Sequence, residues 1–106
     1  MTEQDLVNSI IEYIALLGGV ATRINSGIIP IDGDDGRRRV VRGAPIGTAD
    51  IIACIHGRYV AIECKVKPNK PTVYQLDFLS SVARADGIAI IAYSLDDVIA
   101  IVEALA

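Results

Sequence analysis

An α/β domain, with a mixed central sheet covered by helices on its faces, is what the residue pattern predicts. Stretches with apolar residues at helical spacing alternate with short, nearly continuous apolar runs, and Gly and Pro punctuate the boundaries. No internal repeat, low-complexity tract or linker divides the 106 residues, so one domain over 1–106 is expected. A domain this small buries only about two-thirds of the surface its unfolded chain exposes. With 52% hydrophobic residues and a mean hydropathy of +0.44, the composition leans toward further burial in a homodimer.

Thr2, with Asp5 three residues on, is a candidate capping box. It opens a helix in which Leu6, Val7, Ile10, Ile11, Ile14 and Leu17 recur at helical spacing, stopped by Gly18-Gly19. Val20 to Ser26 reads as a strand. Residues 27–47 hold Gly33, Gly36, Gly43, Pro30 and Pro45 between Gly27 and Gly47, and read as a loop or irregular hairpin with Arg37 to Val41 as a short strand. Ile51 to Ile55 and Arg58 to Val66 are strands around His56-Gly57. Pro68 and Pro71 break the chain before a helix from about Thr72 to Arg84. Gly87 leads into a buried strand, Ile88 to Tyr93, and Ser94 with Asp97 caps a final helix. With the optional short strand at Arg37 to Val41 left aside, the resulting order is α-β-β-β-α-β-α.

Several classes are excluded by composition. No window approaches the roughly 18 apolar residues of a membrane span, and Glu3, Asp5 and Glu12 stand where a secretory leader would be basic. The expected setting is intracellular (cytoplasmic), in a phage- or bacterium-type protein. Cys54 and Cys64 make neither a disulfide framework nor a zinc spacing; both lie in apolar runs and are expected to be buried. Aromatic residues are 5% of the chain and Trp is missing, which argues against stacking along a single strand.

The net charge of −3 conceals a segregation. Arg37, Arg38, Arg39, Arg42, Arg58, Lys65, Lys67 and Lys70 lie in one segment with only Asp50 and Glu63, whereas the rest of the chain sets Arg23 and Arg84 against eleven acids. Local clustering decides whether phosphates can dock. An Arg-Arg-Arg run taken alone reads more readily as solvated loop charge.

Chemistry is expected between Asp50 and Lys65. A turn at His56-Gly57 sets Ile55 opposite Arg58, and the same register sets Asp50 opposite Glu63, with Cβ atoms about 4.5–5.5 Å apart. Lys65 then shares their face, about 6–7 Å along from Glu63, while Cys64 points to the other side. Opposed carboxylates repel, and a hard divalent cation such as Mg²⁺ offsets that repulsion. Such a cation can lower the pKa of a bound water beside a phosphodiester, and a neighbouring lysine can steady the developing charge. Glu63 also interrupts the apolar run Tyr59-Val60-Ala61-Ile62, and buried acids are rare unless paired or metal-bound. With one His, no phosphate-binding Gly-Lys-Ser/Thr loop and no nucleophile-elbow serine, other chemistries lack their residues. Glu3 sits at the end of the apolar stripe of the first helix, whereas Glu12 falls nearly opposite it and reads as solvent-facing. Gln75 lies in the first turn of its helix, where it could orient a water or a phosphate.

These residues match a family in order: Glu3 in Glu-x-x-Leu, Leu17-Gly18-Gly19, Arg23-Ile-Asn25-Ser26-Gly27, Gly47-Thr-Ala-Asp50, Glu63-Cys-Lys65 and Gln75. Over about residues 2–100 the chain resembles the virus-type replication-repair nuclease (VRR-NUC) domain of the PD-(D/E)xK superfamily, and is similar to archaeal-type Holliday junction resolvases. The resemblance implies a restriction-endonuclease-like core and Mg²⁺- or Mn²⁺-dependent hydrolysis of DNA. It implies Asp50, Glu63 and the Cys64 carbonyl as metal ligands, Lys65 as the catalytic lysine, Gln75 as the signature glutamine, and Glu3 as an acid supporting the metal directly or through water. Arg23, Asn25 and Ser26 resemble a segment that approaches the phosphate backbone. Arg37, Arg38, Arg39 and Arg42, in a variable insertion, are expected to touch DNA, with Lys67 and Lys70. Ala49 departs from the pattern, standing where the superfamily name has Pro. The expected function is a homodimeric endonuclease cutting four-way junctions; the alternatives are a flap, restriction-like or less selective nuclease, a catalytically silent DNA-binding module, or a plain interaction domain with Asp50 and Glu63 salt-bridged to Lys65.

Overall fold

A computed structural model describes residues 1–105. The elements run α1 (Glu3–Leu16), β1 (Val20–Arg23), β2 (Ile28–Asp32), β3 (Arg38–Arg42), β4 (Ile51–Ile55), β5 (Arg58–Cys64), α2 (Val73–Arg84), β6 (Ile88–Ala92) and α3 (Leu95–Glu103). The central sheet has the order β1-β4-β5-β6, with β4 antiparallel to β1 and β5, and β6 parallel to β5. It is the mixed sheet that the residue pattern predicts. A parallel neighbour cannot be reached by a tight turn, so α2 serves as the crossover from β5 to β6.

Each helix starts where its capping residues lie. The Thr2 hydroxyl accepts from Asp5 N–H at 3.0 Å while Asp5 accepts from Thr2 N–H, also at 3.0 Å. Thr72 and Gln75 repeat that reciprocal pair at α2, and the Ser94 hydroxyl accepts from Asp97 N–H at α3. On one face of the sheet, Leu6, Ile10 and Ile14 of α1 and Val98 and Val102 of α3 close over Ile51, Ile55, Val60, Ile62 and Ile90. On the other, α2 sets Leu79 and Val82 against Ala49 and Ala61.

That second face is only partly covered, which corrects the expectation of two buried cysteines. Cys64 is buried beneath α1 and α3, but Cys54 is exposed. In β4, Ile51, Ala53 and Ile55 turn to the α1–α3 side. Cys54 turns the other way, beyond the reach of α2. Its neighbours on β1 and β5, Val20 and Tyr59, are themselves 68% and 49% exposed.

The expected strand over Val20 to Ser26 ends at Arg23. Ile24 N–H still donates to the Asp50 carbonyl at 2.8 Å, after which the chain departs into a separate two-stranded ribbon. Residues 27–47 are therefore more regular than a loop. β2 and β3 pair from Ile28 opposite Arg42 to Asp32 opposite Arg38, and pack chiefly on each other. The neck of this arm is pinned by Ala44 N–H to the Asn25 carbonyl and Gly27 N–H to the Ala44 carbonyl, both at 2.9 Å.

Gly47 joins the arm to the central sheet at φ +93°, where a Cβ would come within 2.5 Å of the Tyr74 carbonyl oxygen. The start of α2 therefore rests on bare backbone just before Asp50. A side chain there combines a left-handed conformation with overpacking, so Gly47→Ala should destabilise by about 2–4 kcal/mol and lower Tm by about 10–20 °C. Gly57→Ala, also at positive φ but with nothing within 4 Å, should lose about half as much in the same thermal melts.

Candidate active site

The β4–β5 hairpin turns on His56 at φ 51° and Gly57 at φ 76°, the left-handed pair of a two-residue turn. Its register runs from Ile55 opposite Arg58 to Ile51 opposite Ile62. One residue further along, Asp50 stands across from Glu63. Asp50 Oδ2 accepts from the Cys64 N–H at 2.9 Å, which fixes its carboxylate against the end of β5.

Glu63 is 1% exposed. Its Oε2 lies 3.6 Å from Lys65 Nζ, and its Oε1 is buried with no hydrogen-bond partner among the described residues. Burial pushes the Glu63 carboxyl up, to about 8, and the neighbouring Asp50 charge pushes the same way against the opposing pull of Lys65. Burial and the same two carboxylates raise the Cys64 thiol to about 12, so it stays protonated. Lys65 comes to its place because its N–H continues the sheet, donating to the Ala92 carbonyl at 3.0 Å.

An oxygen buried without a donor, beside a second carboxylate, is a poor arrangement for a protein alone and a good one for a hard cation. Among the described residues no three His, Cys, Asp or Glu side chains cluster. The protein side chains on offer are thus two carboxylates. That donor set fits Mg²⁺, which keeps several waters and takes one or two carboxylates together with phosphate oxygens.

The remaining candidates are spread around this pair. Glu3, half-buried, lines a polar cleft of about 210 Å³ with Gln4, Val7, Arg23, Ile24, Asn25 and Asp50, so it neighbours the carboxylate pair without joining it. Gln75 is half-buried at the start of α2, where its Oε1 accepts from Thr72 N–H at 2.8 Å and serves the helix cap. Ser26 lies at the neck of the arm, bridged to Ala44. Arg37, Arg38, Arg39 and Arg42 are exposed on the arm, and Lys67 and Lys70 are exposed in the loop before α2. Arg39 is 3.0 Å from Asp35 and Arg38 is 3.7 Å from Asp32, partners that the sequence reading left unassigned although Asp35 lies four residues from Arg39. Tyr93 was also missed. Its hydroxyl donates to the Asn69 carbonyl at 3.1 Å and its ring centroid is 5.9 Å from Lys67 Nζ, a proximity that only the β5–β6 pairing reveals.

No protein-family model matches the chain. No curated protein matches it either. Among solved structures, one described as a VRR_NUC domain is similar over 95% of this chain and 94% of its own, with a TM-score of 0.67 at 19% identity. The fold is that of a VRR-NUC domain. The resemblance carried by the six sequence motifs is thereby borne out at the level of architecture. No helix among the described residues is long and apolar enough to cross a membrane.

Glu63 also predicts a pH dependence. In the metal-free folded chain it holds its proton to about pH 8, against an ordinary value of 4.5. Between those values the folded chain binds more protons than the unfolded one, so stability falls as pH rises through the window. Thermal melts in EDTA should show that decline, and Glu63→Gln should melt with a visibly flatter profile. Equal pH slopes for the two proteins would contradict the buried carboxyl.

Proposed function

We propose that this chain is a metal-dependent DNA endonuclease acting on branched DNA. The observation that carries the reading is the buried Glu63 oxygen without a partner, set across from Asp50 with Lys65 against it, inside a VRR-NUC fold. In this reading Asp50 and Glu63 hold Mg²⁺ or Mn²⁺ with the Cys64 backbone carbonyl, and Glu3 supports it directly or through water. The bound ion would supply charge neutralisation at the phosphate and a more acidic water.

The chain's own groups have separable tasks. Lys65, 12% exposed and tethered to Glu63, keeps an ammonium at the phosphate, where it steadies the charge that develops as water adds to phosphorus and the bond to the leaving sugar oxygen breaks. Arg23 and Asn25 approach the backbone along the cleft beside Asp50 and Ser26 from the neck of the arm, and Gln75 orients a water or phosphate from the start of α2. Arg37, Arg38, Arg39 and Arg42, with Lys67 and Lys70, supply the cationic surface; Asp32 and Asp35 hold two of these arginines in exposed pairs that phosphates can displace at little cost. A homodimer would place two such sites about a two-fold axis, suited to paired nicks in a four-way junction.

The test is cleavage of labelled four-way junction, flap and linear duplex with Mg²⁺, Mn²⁺ or EDTA. Asp50→Ala, Glu63→Ala and Lys65→Ala should each lower the rate at least about a thousandfold, roughly 4 kcal/mol of lost transition-state stabilisation, while DNA binding persists. Binding without cleavage in any metal would favour a DNA-binding module. Neutralising Arg37, Arg38 and Arg39 together should weaken binding and flatten its salt dependence, with the slope falling by about one unit per lost phosphate contact. Sedimentation at micromolar concentration should find twice the 11.3 kDa chain mass; an 11.3 kDa species alone would remove the dimer.

A further inference from the structure

A second cleft, of about 560 Å³, is lined by Val66 and Lys67, the two residues after Lys65, with Met1, Tyr93, Ser94 and Asp97. Its size is within the roughly 300–1,000 Å³ typical of small-molecule sites. The parallel pairing of Cys64 with Ala92, prolonged by Lys65 N–H to the Ala92 carbonyl, makes Tyr93 the next residue in register with Lys65. Adjacent strands lie about 4.8 Å apart, so the aromatic residue is one strand away from the lysine of the carboxylate pair.

Tyr93 is held at its hydroxyl and at its backbone. Its hydroxyl donates to the Asn69 carbonyl at 3.1 Å, and its backbone N–H donates to Asp97 Oδ2 at 2.8 Å. Lys67 Nζ lies 5.9 Å from the ring centroid, at the outer limit of a cation–π contact, and Lys67 is exposed. A fixed ring, apolar walls from Val66 and Met1, and a displaceable ammonium beside them form a combination suited to one nucleotide: the base stacks on the ring and the ammonium moves to the adjoining phosphate.

We infer that this cleft receives a single unpaired nucleotide next to the phosphate that Lys65 meets, and so selects DNA with an unpaired nucleotide at the cut. The inference rests on the nuclease reading for its alignment with the phosphate, but the binding it describes needs no cleavage. In continuous duplex the bases are stacked on one another and unavailable to the ring; at a branch or flap one of them is free. One ring takes one base, in keeping with an aromatic content of 5%, which argues against binding long single strands.

The experiment is carried out in EDTA, where no cutting is expected. The full chain is titrated with tetrathymidylate and with a 20-base-pair duplex, reading amide shifts by NMR and affinity by anisotropy. Shifts at Val66, Lys67, Tyr93 and Ser94 on adding tetrathymidylate are expected. Tyr93→Leu should weaken that binding about tenfold to a hundredfold and leave duplex binding within about twofold, while Tyr93→Phe, which keeps the ring, should retain most of it. Thermal melts establish that each variant is folded. Unchanged tetrathymidylate affinity in folded Tyr93→Leu, equal loss for both DNAs, or shifts confined to the arginines of the β2–β3 arm would each overturn the inference. Failure of the nuclease reading would appear elsewhere, as metal-independent or undetectable cleavage, with the tetrathymidylate shifts intact.

Discussion

The register of the β4–β5 hairpin constrains everything else in this molecule. A two-residue turn at His56-Gly57 leaves no freedom in which residues face each other, and five rungs later it brings Asp50 and Glu63 together. A slip of one residue would turn Ile51, Ala53 and Ile55 out of the core, so the hydrophobic pattern enforces the pairing that the carboxylates themselves oppose. The packing of α1 and α3 against one face of the sheet is thus what holds the two carboxyl groups together on the other.

Much of this was legible in the sequence because it depends on local rules. Alternation in β4 and β5, the turn between them and the capping pairs of α1 and α3 are short-range patterns, and each recurs in the structure at nearly the expected residues. What was not legible depends on coverage and on long-range neighbours. Cys54 looks as apolar in context as Cys64, yet no property of its flanking residues tells that α2 stops short of it. Gln75 could be placed in the first turn of a helix, but the reciprocal bond with Thr72 gives its carbonyl a structural task that a one-residue reading overlooks. The regularity of the β2–β3 ribbon was hidden by the density of glycine and proline between residues 27 and 47. Tyr93 drew no attention because the parallel partner of a strand is set by a crossover, and no local pattern announces it.

The helix α2 links these features. It is the crossover that makes β6 parallel to β5, it covers the carboxylate face as far as Ala49 and Ala61, and its first turn rests on the bare backbone of Gly47. Gly47, three residues before Asp50, and the start of this helix are therefore held by one close contact, so the segment leading to the carboxylate and the helix after Lys67 and Lys70 share a support. Ala49 is fully buried under the same helix, packed with Ala61, Leu79 and Val82.

The ribbon from Ile28 to Arg42 leads a different existence. None of its described side chains joins either apolar cluster, and its two ends are clasped at Asn25, Gly27 and Ala44 before the chain re-enters the central sheet. Lengthening a segment whose ends are already joined adds only slowly growing loop-closure entropy. The arm is in effect a cassette: it can be lengthened, shortened or exchanged for another hairpin while the register of β4 and β5 stays as it is. Reach over a substrate and the chemistry at its centre can then diverge independently between descendants of one scaffold.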